Sequence, residues 1–249
     1  MVWKHNKTIP RMEKSSLMNI VCVKWGDKFD SFHVNRLYKM VKRNLQCDFN
    51  FICYTEDANG IDRNIVIQPL PDYPLETWWW KLTLFENHTK VPTIFLDLDV
   101  VIQNDITHFK NYCVDDMLCL VKAYWKPYMS KIKEEFDVDI NSSIMIWNGD
   151  CTDIWNKFAD NMDYYMIKYK GIDRYLYYDQ PDKLLYLPKG EAYSRLYGTN
   201  KYNYNMYGHG IKRLFFRPEI PVCIFDGWKS GINKPFDDEG YNGFEKYWH

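Results

Sequence analysis

Over its first half the chain alternates short β-branched runs with amphipathic stretches. Asn19 to Lys24 (NIVCVK) is a buried-strand pattern that stops at the turn residues Trp25-Gly26-Asp27. Val34, Leu37, Tyr38, Val41 and Leu45 then recur at three- and four-residue spacing, with Arg36, Lys39, Lys42 and Arg43 mainly between them, which predicts a helix. Phe49 to Tyr54 predicts a second strand, Asn64 to Ile67 a third, Trp78 to Phe85 a helix and Pro92 to Leu96 a further strand. Alternation of this kind predicts an α/β fold, a mixed, mainly parallel Rossmann-related sheet flanked by helices. Ligands of such sheets sit beyond the carboxyl ends of the strands, where Trp25 to Lys28, Thr55 to Asp57 and Asp97 to Asp99 should converge.

The second half is less regular. Ser143 to Trp147 predicts a strand, Thr152 to Tyr169 one helix and Gln180 to Tyr186 a short helix. Residues 190–218 are rich in Tyr, Asn and Gly without periodicity, as expected of a long ordered loop or lid. Residues 1–17 are polar and basic and are expected to form a flexible tail, or an arm that touches an anionic membrane surface. The remainder, 18–249, is expected to be a single domain of two halves, about 18–110 and about 111–249.

Composition narrows the function. With 46% apolar residues and 26% charged ones, the 249-residue chain suits one packed globule. Thirty-two basic and thirty-three acidic residues leave a net charge of −1, so no global field favours nucleic acid. Seven cysteines with no C-x-x-C pair suit neither a zinc site nor a disulfide framework, which points to a reducing, cytoplasmic setting. No transmembrane segment is expected, although peripheral membrane contact remains open. Without a Gly-rich phosphate loop or a dinucleotide fingerprint, kinases and dehydrogenases fall away.

The chemistry is concentrated at Phe95-Leu96-Asp97-Leu98-Asp99-Val100-Val101-Ile102, two carboxylates one residue apart in an apolar run. Burying both unpaired costs several kcal/mol or more, so the pair implies a cation or a wet strand end. Oxygen ligands favour Mg²⁺ or Mn²⁺. The same pattern also suits a turn cap, or ion pairs with lysines at a sheet edge.

In order along the chain, Val34-Asn35-Arg36-Leu37-Tyr38, Tyr54-Thr55-Glu56-Asp57, Trp80-Lys81-Leu82, the D-x-D, Asn141-Ser142-Ser143, Asp179-Gln180 and the stretch from Val222 to Pro235 together resemble the family 8 and related glycosyltransferases, glycogenin and bacterial lipopolysaccharide sugar transferases among them. That resemblance runs from about Asn19 to Pro235 and implies a GT-A fold and transfer of a sugar from a nucleoside-diphosphate donor, a UDP-sugar, to a glycan or other hydroxyl acceptor.

The resemblance also implies roles. Lys24, Trp25, Tyr54, Thr55 and Asp57 would border the nucleotide, and Lys81 would face phosphate or sugar. Asp97, Asp99 and Asp226 would hold the metal, Asp226 standing where the family has His, while Asp97 and Leu98 would also meet the nucleotide. Asn141 and Ser142 would meet the donor sugar, with Ser143 in place of the usual Gly. Asp179 and Gln180 would lie close to the reacting carbon, and Gly227, Lys229 and Lys234 would meet the diphosphate. His209 is an alternative metal ligand. Retention of configuration is implied; an inverting relative would instead place a carboxylate by the acceptor, from among Asp179, Asp182 and Glu191. A sugar nucleotidyltransferase and a non-catalytic glycan-binding protein are the competing readings.

Overall fold

A computed structural model describes residues 17–126, 138–199, 215–225, 244, 246 and 247. The tail at 1–16 and most of the expected lid therefore lie outside the described residues. So do Asp226, Gly227, Lys229, Lys234 and His209.

Five strands open the chain: β1 (Met18–Lys24), β2 (Phe49–Thr55), β3 (Val66–Gln68), β4 (Thr89–Leu96) and β5 (Val100–Ile102). They are followed by β6 (Met117–Lys122), β7 (Ile140–Gly149), β8 (Leu184–Leu187), β9 (Ala192–Ser194) and β10 (Val222–Ile224). The main sheet has seven strands in the order β3-β2-β1-β4-β7-β6-β8. All neighbours in it are parallel except at β7, which runs against both β4 and β6. A smaller sheet of order β5-β10-β9 packs beside it.

Alternation along β1 sorts its side chains to two faces, as a pleated strand buried on both sides requires. Ile20 and Cys22 face α1 (Ser31–Asn44) through Val34, Leu37 and Val41. Val21 faces the 3₁₀ helix Thr77–Phe85, together with α2 (Thr152–Ala159) and α4 (Ile172–Asp179). Asp30 starts α1 by accepting from the His33 N–H, and the His33 ring accepts in return from the Asp30 N–H at 3.3 Å, a capping box with His in the usual Glu place.

The observed elements depart from the predicted ones in several places, β6 and β9 among them. The expected Thr152–Tyr169 helix is two helices, α2 and α3 (Met162–Tyr169), because Asn161 recaps the chain by accepting from the Tyr164 N–H at 3.2 Å. Residues 180–186 form a 3₁₀ turn at Pro181–Lys183 and then β8, since Pro181 interrupts helical hydrogen bonding. Helix α4 lies where no element was expected. The D-x-D is in the turn between β4 and β5, not within a strand.

Candidate active site

Strand register defines one working edge. Leu96 of β4 pairs with Ile144, and Lys122 of β6 with Ile140, so the start of antiparallel β7 lies beside the carboxyl ends of its parallel neighbours. The backbone locks them: the Asp97 N–H donates to the Ser143 carbonyl at 2.9 Å. The 3₁₀ helix delivers Lys81, a buried lysine whose Nζ lies 2.7 Å from Asp97 Oδ2 and 3.3 Å from the Ser142 carbonyl oxygen. Lys81, Asp97, Asn141 and Ser142 are thus brought together.

Asp99 is different. Among the described residues no cationic nitrogen lies within ion-pair distance of its carboxylate. Burial, and then the charge of Asp97, push its carboxyl up to about 7 against the pull of Lys28 and Lys81. A divalent cation would remove that cost, and two carboxylates in one turn offer the hard oxygen ligands Mg²⁺ or Mn²⁺ prefer, so the residues present fit such an ion. Among the described residues no third His, Cys, Asp or Glu joins them. The described stretch 215–225 stops one residue short of Asp226, at Phe225, whose N–H donates to the Asp99 carbonyl at 3.3 Å.

The nucleotide side is divided by the pleat. Lys24 and Thr55, paired in register, are both buried at the ends of β1 and β2. Trp25 and Tyr54 turn to the opposite face, where Tyr54 lines a cavity of about 460 Å³ with Asn19, Glu86 and Trp147. Asp57 is exposed and caps its turn by accepting from the Asn59 N–H. Leu98 corrects an expectation, because its side chain is sealed in the core and has only backbone to offer a nucleotide.

Asp179 and Gln180 are a larger correction. They precede β8, whose first residue, Leu184, pairs with Leu118 near the start of β6, at the edge opposite Asp97. Asp179 Oδ1 lies 3.1 Å from Lys157 and Oδ2 3.6 Å from Lys168, while buried Gln180 donates to the Tyr175 hydroxyl at 3.0 Å. Burial would raise the Asp179 carboxyl, yet a hydrogen bond from Tyr169 and the Lys157 contact hold it below its ordinary value. These are structural contacts. A short Asp-Gln pattern in sequence does not reveal which end of a helix faces the site.

Two residues with no expected role stand in the working edge instead. Asp173, in the first turn of α4, accepts from the Ser142 N–H through Oδ1 at 3.0 Å, and its Oδ2 lies 2.7 Å from Nζ of buried Lys126. Neither residue carried a signal in the sequence, where no element was expected at α4. Lys28 was grouped with the strand ends by sequence, and its charge reaches Asp99.

No family model matches the chain, and no curated protein matches it either. Solved structures do. The galactosyltransferase LgtC, in complex with donor and acceptor sugar analogs, superposes with a TM-score of 0.61 at 13% identity over 92% of this chain and 93% of that one. The chain has the GT-A fold. The glycosyltransferase GlyE of Streptococcus pneumoniae gives 0.63 at 13% identity, and the bifunctional WbbM 0.54 at 11%. The GT-A chain spans 57% of GlyE and 49% of WbbM, but nearly the whole of LgtC.

Proposed function

We propose that this GT-A chain transfers a glycosyl group from a nucleoside-diphosphate sugar, a UDP-sugar, to a glycan or other hydroxyl acceptor, with a divalent cation and with retention of configuration. The observation that carries the reading is two carboxylates in one turn at the carboxyl edge of a GT-A sheet, Asp97 held by Lys81 and Asp99 with no ion-pair partner among the described residues. Asp97 and Asp99 would hold Mn²⁺ or Mg²⁺, with Asp226 as third ligand. When bound, the ion supplies Lewis-acid neutralisation of the leaving diphosphate.

The chain's own groups do the rest. Lys81 is fixed by Asp97 and the Ser142 carbonyl, so its charge is presented without reorganisation toward phosphate or sugar. Asn141 spends its side-chain oxygen on the Ser143 N–H at 2.9 Å, which leaves its amide as a donor for sugar hydroxyls beside Ser142. Lys24, Trp25, Tyr54, Thr55 and Asp57 would border the nucleotide, with Gly227, Lys229 and Lys234 on the diphosphate. The donor half, 18–110, and the acceptor half, with its groove in residues 120–215, would divide the two substrates. Under retention no enzyme carboxylate need act as general base, which agrees with Asp179 facing away from this edge.

All seven cysteines are free thiols, in keeping with a reducing, cytoplasmic location. No helix among the described residues is long and apolar enough to cross a membrane. Sugar-dependent UDP release in the presence of Mn²⁺, lost in Asp99→Asn, is the expected result with purified protein. No release with any donor would instead support a glycan-binding protein, and pyrophosphate formed from UTP and a sugar phosphate would support a nucleotidyltransferase.

A further inference from the structure

Between Leu120 and Val121 of β6 the partner on β7 jumps from Met145 to Asn141, so Ser142, Ser143 and Ile144 bulge away from the β6 ladder. A bulge leaves backbone groups that need other partners, and it re-aims the side chains it carries. On the β4 side the ladder persists, through Leu96 with Ile144 and the Asp97 N–H on the Ser143 carbonyl. On the other side an ion pair takes over. Asp173 accepts the Ser142 N–H, and Lys126 donates to the Ile140 carbonyl while binding the other Asp173 oxygen.

We propose that Lys126 and Asp173 are positioning residues that clamp the Asn141–Ser142 bulge and thereby set recognition of the donor sugar, a role that rests on the glycosyltransferase reading above. Both oxygens of Asp173 are already engaged, so it holds the strand that meets the sugar and does not itself serve the reacting carbon. Lys126 is buried, which gives the pair little freedom to trade partners. Burial alone would raise the Asp173 carboxyl, but the Lys126 charge and its hydrogen bond, with that from Ser142, hold it below the ordinary range. The carboxylate therefore stays ionised and clamped at neutral pH. Lys81 also grips the Ser142 carbonyl, so the two peptides that flank Ser142 are held by two lysine–aspartate pairs, one linked to the metal turn and one not.

The clamp predicts separate effects on the nucleotide and on the sugar. Lys126→Met and Asp173→Asn should each lower kcat/KM for the UDP-sugar by roughly 10- to 100-fold, since displacing a positioned contact by about 1 Å can cost that much. UDP alone should bind each variant within about twofold of wild type, measured by calorimetry with Mn²⁺, because nucleotide and metal contacts lie outside the clamp. The double variant should be no worse than the poorer single one, as expected for residues acting as a unit, and Lys126→Arg should restore most of the activity. Circular dichroism and a melting curve confirm that each variant is folded. If the two single variants shift UDP affinity in opposite directions, their effect is electrostatic and the positional role is overturned. Equal losses for UDP and UDP-sugar would overturn it too, as would unchanged kcat/KM in both folded variants. A wild-type protein that neither binds UDP nor releases it from any donor sinks the transferase reading itself, a result separable from all of these.

Discussion

Two acidic sites stand toward opposite edges of the same sheet, and both drew attention in the sequence. At the back edge Asp179 meets Lys157, Lys168 and Tyr169, and its carboxyl is held below its ordinary value. At the working edge Asp97 takes Lys81, while at Asp99 burial and the charge of Asp97 outweigh the pull of Lys28 and Lys81 and its carboxyl rises to about 7. The back site balances its carboxylate with two lysines. Among the described residues the front site has two carboxylates and one paired lysine, so a bound cation would lower its cost. Uncompensated charge, more than the number of acids, separates a reactive edge from a structural one.

The sharpest way to break that contrast is to neutralise one acid from each edge. Asp99→Asn should reduce UDP release by roughly 100-fold or more, the scale of a lost charge-stabilising group. Asp179→Asn should leave kcat within about twofold; a loss comparable to that of Asp99→Asn would return Asp179 to the site. In stability the order reverses. Removing one partner of the partly buried Asp179 cluster should cost about 1–2 kcal/mol, read from urea melts.

A pH series sharpens the comparison further. The Asp99 carboxyl is raised in the folded chain, from 3.8 to about 7, so the native state keeps a proton that the unfolded chain gives up. Its contribution to the ligand-free protein is therefore most favourable below about pH 4, declines between 4 and 7 and stays lost above that, the opposite of a salt-bridged aspartate. Partial exposure of Asp99 limits the effect to about 1–2 kcal/mol between pH 5 and 8, and Asp99→Asn should abolish that part of the slope. If the wild type and Asp99→Asn melt in parallel across this range, Asp99 is not the strained group.

A backbone test at the back edge is expected to touch stability alone. Gly149 ends β7 with φ +77°, and a Cβ there would fall 2.3 Å from Asp116 Oδ1 and 2.9 Å from the Asp116 backbone nitrogen. Gly149→Ala should cost about 1–3 kcal/mol with kcat unchanged. Smallest of all, Lys157→Ala should cost under about 1 kcal/mol, since Lys168 and Tyr169 remain on Asp179.

Much of the fold was legible because the first half obeys period and punctuation. The runs that became β1, α1, β2 and β4 are continuous, and their ends coincide with Gly26, Asp30 and Asp97. Helix α4 escaped because tyrosines and a central Arg174 blur its apolar stripe, and β8 because Pro181 and Asp182 read as a helix start. The site followed the same division. Lys81, Asp97, Asn141 and Ser142 meet because each sits at the end of a strand, or on the helix before it, that the pattern had already fixed. Asp173 and Lys126 were invisible because their role is to satisfy a peptide freed by a bulge, and a bulge is a property of register that one strand's sequence does not encode.

The reversed direction of β7 has a consequence for how a chain of this fold could diversify. Strand β6 ends and β7 begins at the edge that holds Asp97, so the connection between Lys122 and Ile140 leaves from and returns to the place where substrates would meet. Lengthening or rewriting that connection would change the lining of this edge while the parallel strands keep their spacing. One inverted strand thus lets the edge be re-lined by loop exchange, without refolding the sheet.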